Sequence, residues 1–243
     1  LALRDKDPLI LGSEPDATLA PLALRVLFVF TCAAIWVGLS TSLQEIIKES
    51  QIYLRERLVN LGLFAYLSSK VVVLGGLAIL QTLLITLVIL LGFAAPTPDL
   101  ISWQVGASTT TFLTLLTSLS LGLLVSAIVK NSSQANSTLP LLLLPQIIFS
   151  GVLFKMEGVA SKLSWLMLSR WSVGAYGALV NVNAMVPEPT KLPDGSTIPQ
   201  PFEPTAVYDP TWENLGLNWG ILCLHTLVYL GLTLCVQKRK DIL

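Results

Sequence analysis

The stretch over residues 44–70, QEIIKESQIYLRERLVNLGLFAYLSSK, lies between two long apolar runs and decides how the chain is arranged. Its charged residues are Glu45, Lys48, Glu49, Arg55, Glu56, Arg57 and Lys70. Helical spacing places Glu45 and Lys48 on a shared face, and Ile46, Ile47 and Tyr53 contribute to an apolar stripe. The pattern predicts an amphipathic connecting helix over residues 45–60, at the water boundary between a helix that leaves a bilayer and one that enters it.

The composition of the whole chain is typical of a membrane protein. Hydrophobic residues make up 53% of the 243 residues, charged residues make up 12%, and the mean hydropathy is +0.71. A helix needs about 20 apolar residues to cross a hydrocarbon core of about 30 Å, and several runs reach that length. The fold class is therefore predicted to be an all-α polytopic membrane protein. The formal net charge of 0 argues against nucleic acid as a partner.

Five apolar runs are predicted to cross the bilayer, over residues 22–44, 70–93, 102–129, 139–154 and 215–236. In the second run, Gly75 and Gly76 are expected to allow close helix packing. The third run is rich in serine and threonine, whose hydroxyls are expected to bond back to their own helix or to cross to a neighbour. The fourth run carries Pro140 and Pro145, which predict a kink.

The stretches between these runs are predicted to be loops or surface helices. Residues 1–21, 130–138 and 181–214 are polar, and the last of these is expected to be a long outer loop. Residues 156–180 mix Trp165, Arg170 and Trp171 with apolar side chains, which favours an extracytoplasmic interfacial or re-entrant helix.

Basic residues predict the orientation of the chain. Bases that fall on one side, if the runs alternate strictly, are Arg55, Arg57, Lys70, Lys130 and residues 238–240. The positive-inside rule then places the connecting helix and the C-terminus in the cytoplasm, with the chain multi-pass in the inner (plasma) membrane. Lys155, Lys162 and Arg170 fall on the other side and reduce this asymmetry.

Few residues in the chain suit catalysis or metal binding. The sequence has no paired carboxylates or Ser-His-Asp set at a suitable depth, and no GxxxxGK[ST] loop for a nucleotide triphosphate. The three cysteines lie in apolar runs and are expected to be small packing residues. The lone His225 favours an interhelical hydrogen bond over a proton relay. We therefore expect no catalytic residue, no metal site and no cofactor in this chain, and energy must enter from elsewhere.

Two motifs resemble a family of ATP-driven exporters. Residues 49–57, ESQIYLRER, resemble the segment that follows the second transmembrane helix in ABC exporters of the G subfamily, the White and pleiotropic drug resistance type. Residues 148–153, IFSGVL, together with residues 160–166 and 176–178, are similar to the end of that family's fifth helix and its outer re-entrant helix. Residues 55–62 are also similar to cyanobacterial members that carry an upstream ATPase and a forkhead-associated domain.

The resemblance implies that the five predicted spans are the family's helices two to six, and that helix one lies before Leu1. It implies a nucleotide-binding ATPase domain, fused upstream, that binds ATP and Mg, and a second transmembrane domain that forms a homodimer. The residues that would couple to the ATPase domain are Glu49, Arg55, Glu56 and Arg57. Those that would line a substrate cavity at the dimer axis are Trp36, Val37, Leu144 and Ile147. Val152 and Leu153 stand where the family keeps an apolar plug of two leucines.

The expected function is that of a permease half in an ABC exporter. It would move an amphipathic or apolar substrate out of the cytoplasm by alternating access in a dimer. The alternative is a membrane scaffold or receptor whose connecting helix docks a regulatory protein without transport. For the named charges the alternative is a solvated cluster at the membrane surface, and for the cavity and plug residues it is ordinary packing. An ion-coupled carrier is disfavoured because the spans contain no acidic residue.

Overall fold

The computed structural model describes residues 7–11, 16–59, 61–154, 156–187 and 202–240. Within these ranges the chain is helical and contains no strand. The helices are α1 (Leu19–Ser42), α2 (Glu45–Lys48), α3 (Ser50–Leu58), α4 (Leu63–Gly92), α5 (Trp103–Ile128), α6 (Ser132–Ile148), α7 (Gly158–Ser164), α8 (Leu168–Val180) and α9 (Trp212–Lys240), with 3₁₀ turns at Val182–Met185 and Ala206–Tyr208. Residues 1–6 and 12–15 of the predicted first loop and residues 188–201 of the predicted outer loop lie outside the described residues.

Helix α5 forms the centre of the bundle and packs against α1, α4, α8 and α9. In its most apolar window 72% of residues are buried, against 28% in α4 and 17% in α9. Helix α4 buries a narrow stripe at four-residue spacing that includes Leu74, Ala78 and Thr82, and its remaining surface is apolar and exposed. Lipid tails are as apolar as leucine, so such a surface is stable against a bilayer and unfavourable in water.

Four stretches in the described part of the chain are helical, long and apolar enough to cross a membrane: Leu19–Lys48, Leu63–Gly92, Trp103–Ile128 and Trp212–Lys240. The predicted fourth span corresponds to α6, which has 17 residues and contains Pro140 and Pro145. At 1.5 Å per residue it is about 25 Å long, somewhat less than the hydrocarbon core. The all-helical membrane fold is confirmed, and the count of five spans stays a prediction.

Two helices begin earlier than the sequence pattern predicts, because polar residues cap them. The prediction of a polar loop over residues 130–138 is wrong beyond Asn131, whose side chain accepts the backbone N–H of Gln134 at 2.8 Å and starts α6. In the same way the Thr211 hydroxyl accepts the N–H of Asn214 at 3.2 Å, and α9 starts at Trp212 within the predicted outer loop.

Helices α1 and α5 cross at a reciprocal pair of glycines and serines. Gly38 of α1 faces Ser118 of α5, where an added Cβ would lie 1.9 Å from the Ser118 Oγ. Gly122 of α5 faces Ser42 of α1, where an added Cβ would lie 2.0 Å from the Ser42 Oγ. Small residues four apart on each helix therefore allow the two backbones to approach closely. By contrast, a Cβ added at Gly75 or Gly76 meets no atom of another helix within 4 Å, so the close packing expected there is wrong for contacts within the described part of the chain.

The hydroxyl side chains of α5 serve packing, as predicted. Thr111 bonds the carbonyl of Ala107 at 2.7 Å and lies 2.6 Å from the Tyr176 phenol of α8. Thr114 lies 2.8 Å from the Ser172 hydroxyl, which in turn is 3.0 Å from Thr31 of α1. These threonines are fully buried. Each such bond contributes about 1 kcal/mol, so the network fixes the register of α1, α5 and α8.

The predicted interfacial stretch over residues 156–180 divides into two different helices. Helix α7 is largely exposed, whereas every residue of α8 except Arg170 is buried. The interfacial position predicted for this stretch stays a prediction, and helix α8 packs between α1, α5 and α9. Its small residues explain this: an added Cβ at Gly174 would lie 2.5 Å from Asn218, and one at Gly177 would lie 2.3 Å from Tyr208. A re-entrant path through the membrane stays a prediction.

Candidate functional site

The predicted connecting helix consists of two short helices, α2 and α3, which meet at Glu49. Residue 59 follows the end of α3, and residue 60 lies outside the described residues. Tyr53 is the buried residue of α3, and its ring centroid lies 4.6 Å from that of Tyr66 in α4. An aromatic pair of this kind adds about 0.5–1.5 kcal/mol beyond its area burial, so it attaches α3 to the start of α4.

Lys70 joins the connector to the second long helix. Its Nζ lies 2.6 Å from the Glu49 carboxylate and 3.5 Å from the Glu45 carboxylate. The Lys70 side chain is 13% exposed, while those of Glu45 and Glu49 are 29% and 40% exposed. Partial burial reduces screening by water and salt, so these pairs hold α2 more firmly than surface ion pairs would.

Ser126 joins the connector to the central helix. Its fully buried Oγ accepts the backbone N–H groups of Ile46 and Ile47 at 3.0 and 3.1 Å. Gln44, at the N-cap position of α2, makes no side-chain capping bond, so a serine from α5 caps this helix from outside. The Gln44 side chain instead donates to the Asn136 side-chain oxygen of α6. Helix α2 is thereby attached to α4, α5 and α6 at once.

The four residues predicted to couple to an ATPase domain occupy different positions. Glu49 contacts Lys70, as described above. Arg55 and Glu56 are exposed on the outer surface of α3. Arg57 donates to the carbonyl of Leu61 and so satisfies a backbone group just beyond the end of α3. The structure therefore places one of the four at the junction with the long helices and leaves Arg55 and Glu56 facing outward.

The sequence interpretation missed Ser126, Asn136 and the tyrosine pair. The ion pairs of Lys70 could have been predicted from the sequence. Lys70 is a lone cation two turns inside an otherwise apolar helix, and charges inside a membrane usually have a partner. Ser126 is 80 residues from Ile46 in sequence and resembles its serine neighbours on α5. No local pattern distinguishes it from them.

The predicted cavity residues lie on the outer surfaces of two neighbouring helices. Trp36 is 56% exposed and shares a face of α1 with Val29 and Ser40. Leu144 is 53% exposed and shares a face of α6 with Leu141. Val37 and Ile147 are half-buried, and Val37 packs against the bundle core. Helices α1 and α6 are in contact, so these exposed apolar residues lie on two adjacent helices.

The predicted plug residues lie on the turn that follows α6. Val152 is half-buried and packs against the core that α1 and α8 share, while Leu153 is 48% exposed. Gly151 makes this turn possible, because its φ of 83° suits glycine and strains other residues. Both plug residues line a cavity of about 510 Å³.

The fold and the junction together define a class of protein. A bundle of apolar helices long enough to cross a bilayer, with a charged helix pair attached to it, is a multi-pass membrane protein. The sequence profile of the ABC-2 family transporter proteins matches residues 17–235, which is most of the chain. The chain therefore belongs to the ABC-2 transporter family and is the membrane permease component of an ABC transporter.

One relative shows how much of a larger protein this chain represents. The chain is 29% identical over 170 residues to an ABC transporter ATP-binding/permease protein of Mycobacterium tuberculosis. The match covers 68% of this chain and 20% of the relative, so the chain spans about a fifth of the relative's length. Membership of the G subfamily, the cyanobacterial likeness and the forkhead-associated domain stay predictions.

Proposed function

We propose that this chain is the permease half of an ATP-driven exporter that moves an amphipathic or apolar substrate out of the cytoplasm. The observation that carries the proposal is the junction between α2 and the long helices. Lys70, Ser126 and Asn136 attach the connector to three helices, while Arg55 and Glu56 remain exposed to a partner. A partner that moves α3 would therefore move α4, α5 and α6 with it.

The partner in this proposal is a nucleotide-binding ATPase domain that binds ATP and Mg. The relative's name combines an ATP-binding and a permease function in one protein, which supports a fused arrangement. The domain would lie upstream of this chain and contact the exposed part of α3, where Arg55 and Glu56 offer charge for bidentate contacts and the half-buried Arg57 lies beside them.

A second copy of the chain is proposed to cover the outward faces of α1 and α6. These faces present Trp36, Leu141 and Leu144 and contain no acidic residue. A cavity between two such faces would have aliphatic and aromatic walls, which suit an amphipathic or apolar substrate. In this arrangement Val152 and Leu153 would close the outer end of the pathway.

The proposed orientation places the connector and the C-terminus in the cytoplasm. Leu230, Leu234 and Val236 of α9 pack against the same core cluster as Ile46 of α2, so the end of α9 lies at the connector end of the bundle. The basic residues 238–240 are therefore on the same side as Arg55 and Arg57. This agrees with the charge asymmetry expected of a cytoplasmic surface.

The full-length protein reconstituted in liposomes tests this function directly. We expect amphipathic compounds from a substrate panel to stimulate ATP hydrolysis and to accumulate inside inverted vesicles when ATP is added. Vanadate should abolish this accumulation, and collapse of the proton gradient should leave it intact. A scaffold or receptor would show no stimulated transport with any compound, and an ion-coupled carrier would show the opposite inhibitor pattern.

Replacing Arg55 and Arg57 with alanine is expected to uncouple ATP hydrolysis from transport. Both side chains lie on the connector, and their loss removes the cations proposed to contact the ATPase domain. Arg55→Ala alone removes an exposed cation and leaves the Arg57 bond to the Leu61 carbonyl in place, so it should show the same uncoupling. The ratio of transport to ATP hydrolysis in liposomes measures the effect. Alanine at Lys238 and Arg239, which are also exposed bases at the same end, is the matched control. Unchanged coupling in the Arg55/Arg57 variant would refute the connector's role.

Replacing Ser126 with alanine is expected to loosen α2 from the central helix. Two hydrogen bonds of about 1 kcal/mol each are lost, and two backbone N–H groups are left without their cap. We expect faster hydrogen exchange at the amides of Ile46 and Ile47, together with a lower ratio of transport to ATP hydrolysis. Ser120→Ala is the control, since its hydroxyl bonds back to the carbonyl of Leu116 within the same helix. Equal exchange rates in the two variants would contradict this role of Ser126.

A further inference from the structure

A cavity lies at the end of the bundle away from the connector. Its volume of about 510 Å³ is within the range of sites that bind small molecules. The turn after α6, the helices α7 and α8, and the segment that leads to the 3₁₀ turn at Ala206–Tyr208 surround it. Its apolar lining consists mainly of Val152, Leu153, Phe154, Met156 and Phe202. The cavity is formed within a single chain.

Arg170 provides a fixed positive charge in this lining. Its guanidinium lies 5.6 Å from the ring of Trp165 and 5.4 Å from the ring of Trp171, and it donates to the Ser164 hydroxyl. Trp171 Nε1 donates to the carbonyl of Trp165 at 2.9 Å, which holds the two rings in place. These contacts fix the orientation of the cation before any ligand binds.

The donors of Arg170 are not all used by the described part of the chain. Its Nε is buried and has no hydrogen-bond partner there. A buried donor without a partner costs about 1–3 kcal/mol, more when it is charged, and a guanidinium offers five N–H groups in a planar fork. Burial raises the pKa of the neighbouring Tyr208 to about 12, against the opposing effect of Arg170, so that phenol is neutral and does not balance the charge.

We propose that this cavity binds an anionic amphiphile, whose carboxylate or phosphate contacts Arg170 and whose hydrocarbon lies along Val152, Leu153 and Phe154. Guanidinium groups recognise both kinds of oxyanion through paired hydrogen bonds. Glu203 also lines the cavity and is engaged in a contact of its own, so Arg170 is the group to which we assign the anionic headgroup. The site needs neither ATP nor a second copy of the chain, so ligand binding can be measured apart from transport, although Val152 and Leu153 also belong to the plug proposed above.

Small amphiphiles with one hydrocarbon tail test this site. The full-length protein is held in nanodiscs of phosphatidylcholine. The probes are dodecanoate, dodecyl phosphate, dodecylphosphocholine and dodecyltrimethylammonium, which share a chain length and differ in headgroup charge. Tryptophan fluorescence reports binding, because Trp165 and Trp171 flank the cation. We expect saturable binding of the two anionic probes and none of the cationic probe. The anionic probe that binds with the higher affinity indicates the class of the natural ligand: dodecanoate indicates a fatty acid, and dodecyl phosphate indicates a phosphate-bearing lipid.

Two variants and one control separate this site from general partitioning into the bilayer. Arg170→Gln should weaken binding of the anionic probes by about tenfold or more, since a charge-assisted bond is lost. Phe154→Glu, at an exposed lining residue, should weaken it as well by placing a negative charge in the cavity. Lys162→Gln removes an exposed charge that does not line the cavity and should bind as the parent does. Equal affinity for anionic and cationic probes, or unchanged binding in both lining variants, would overturn the proposal.

Discussion

Gly38→Leu will prevent α1 from packing against α5 and will leave little folded protein. An added Cβ at this position lies 1.9 Å from the Ser118 Oγ and 2.9 Å from the backbone oxygen of Leu115, so even the first carbon has no room. The backbone oxygen cannot turn away as a side chain can. Overpacking of a buried contact costs about 1–3 kcal/mol or more, and a domain is stable by only about 5–15 kcal/mol. The contact between α1 and α5 is the most extensive between helices in the described part of the chain.

The thermal unfolding midpoint and the yield of monodisperse protein in detergent measure this loss. Gly75→Leu is the matched control, because the added Cβ meets no atom of another described helix within 4 Å. Leucine also favours a helix over glycine by nearly 1 kcal/mol, so this variant should be as stable as the parent. Equal midpoints for Gly38→Leu and Gly75→Leu would show that the helices do not cross as described.

The reciprocal crossing provides a further check at its second glycine. Gly122→Ala places a methyl group 2.0 Å from the Ser42 Oγ, with the next atoms of the facing helix more than 3 Å away. Adding Ser42→Gly removes both the hydroxyl and the carbon that carries it. The double variant should therefore regain most of the stability lost in Gly122→Ala, as expected for two residues in direct contact.

The fold class could be predicted from the sequence because the hydrocarbon core of a bilayer restricts which residues a membrane-spanning helix can contain. Runs of about 20 apolar residues are required wherever a helix crosses hydrocarbon, and the four longest helices correspond to such runs. The starts of α6 and α9 were missed for a different reason. Asn131 and Thr211 are polar residues typical of loops, yet they are also the side chains that cap helices, and composition alone does not separate the two roles.

Close packing was predicted at the wrong glycines because glycine carries no information about its neighbours. The pair Gly75-Gly76 is conspicuous in sequence but faces outward within this chain. Gly38 and Gly122 are single residues, and each becomes recognisable only when a serine four positions away is considered together with a second helix. The burial of helix α8 was missed as well, since its aromatic residues suggested an exposed position, while its small residues allow it to pack inside the bundle.

For the candidate site too, the local sequence pattern predicted one part, and the tertiary packing determines the rest. The charge pattern of residues 45–57 was enough to predict a connector, because charges between two apolar runs must stay near water. It did not predict what the charges contact. Ser126 and Asn136 reach the connector from α5 and α6, about 80 and 90 residues away in sequence, and only the packing of those helices brings them there.

Lys70→Glu is expected to disrupt the attachment of the connector to α4 and to abolish most ATP-driven transport. The substitution places a third carboxylate beside Glu45 and Glu49, in a site where Lys70 is 13% exposed. Exposed ion pairs contribute about 1 kcal/mol or less, and breaking a fully buried pair costs about 3–5 kcal/mol. This half-buried pair falls between those limits. A change of 1.4 kcal/mol is tenfold in an equilibrium, so transport should fall by about tenfold or more.

A charge exchange decides whether the ion pair itself carries this effect. Glu49→Lys combined with Lys70→Glu restores opposite charges across the 2.6 Å contact and should regain part of the transport lost in Lys70→Glu. Lys48→Glu is the control, because Lys48 lies on helix α2, as Glu45 does, but its side chain is exposed. Transport and ATP hydrolysis are measured together in liposomes, and ATP hydrolysis is expected to survive in all three variants. If the exchange variant transports no better than Lys70→Glu, or Lys48→Glu fails equally, then the connector is attached through the backbone cap at Ser126 and not through charge.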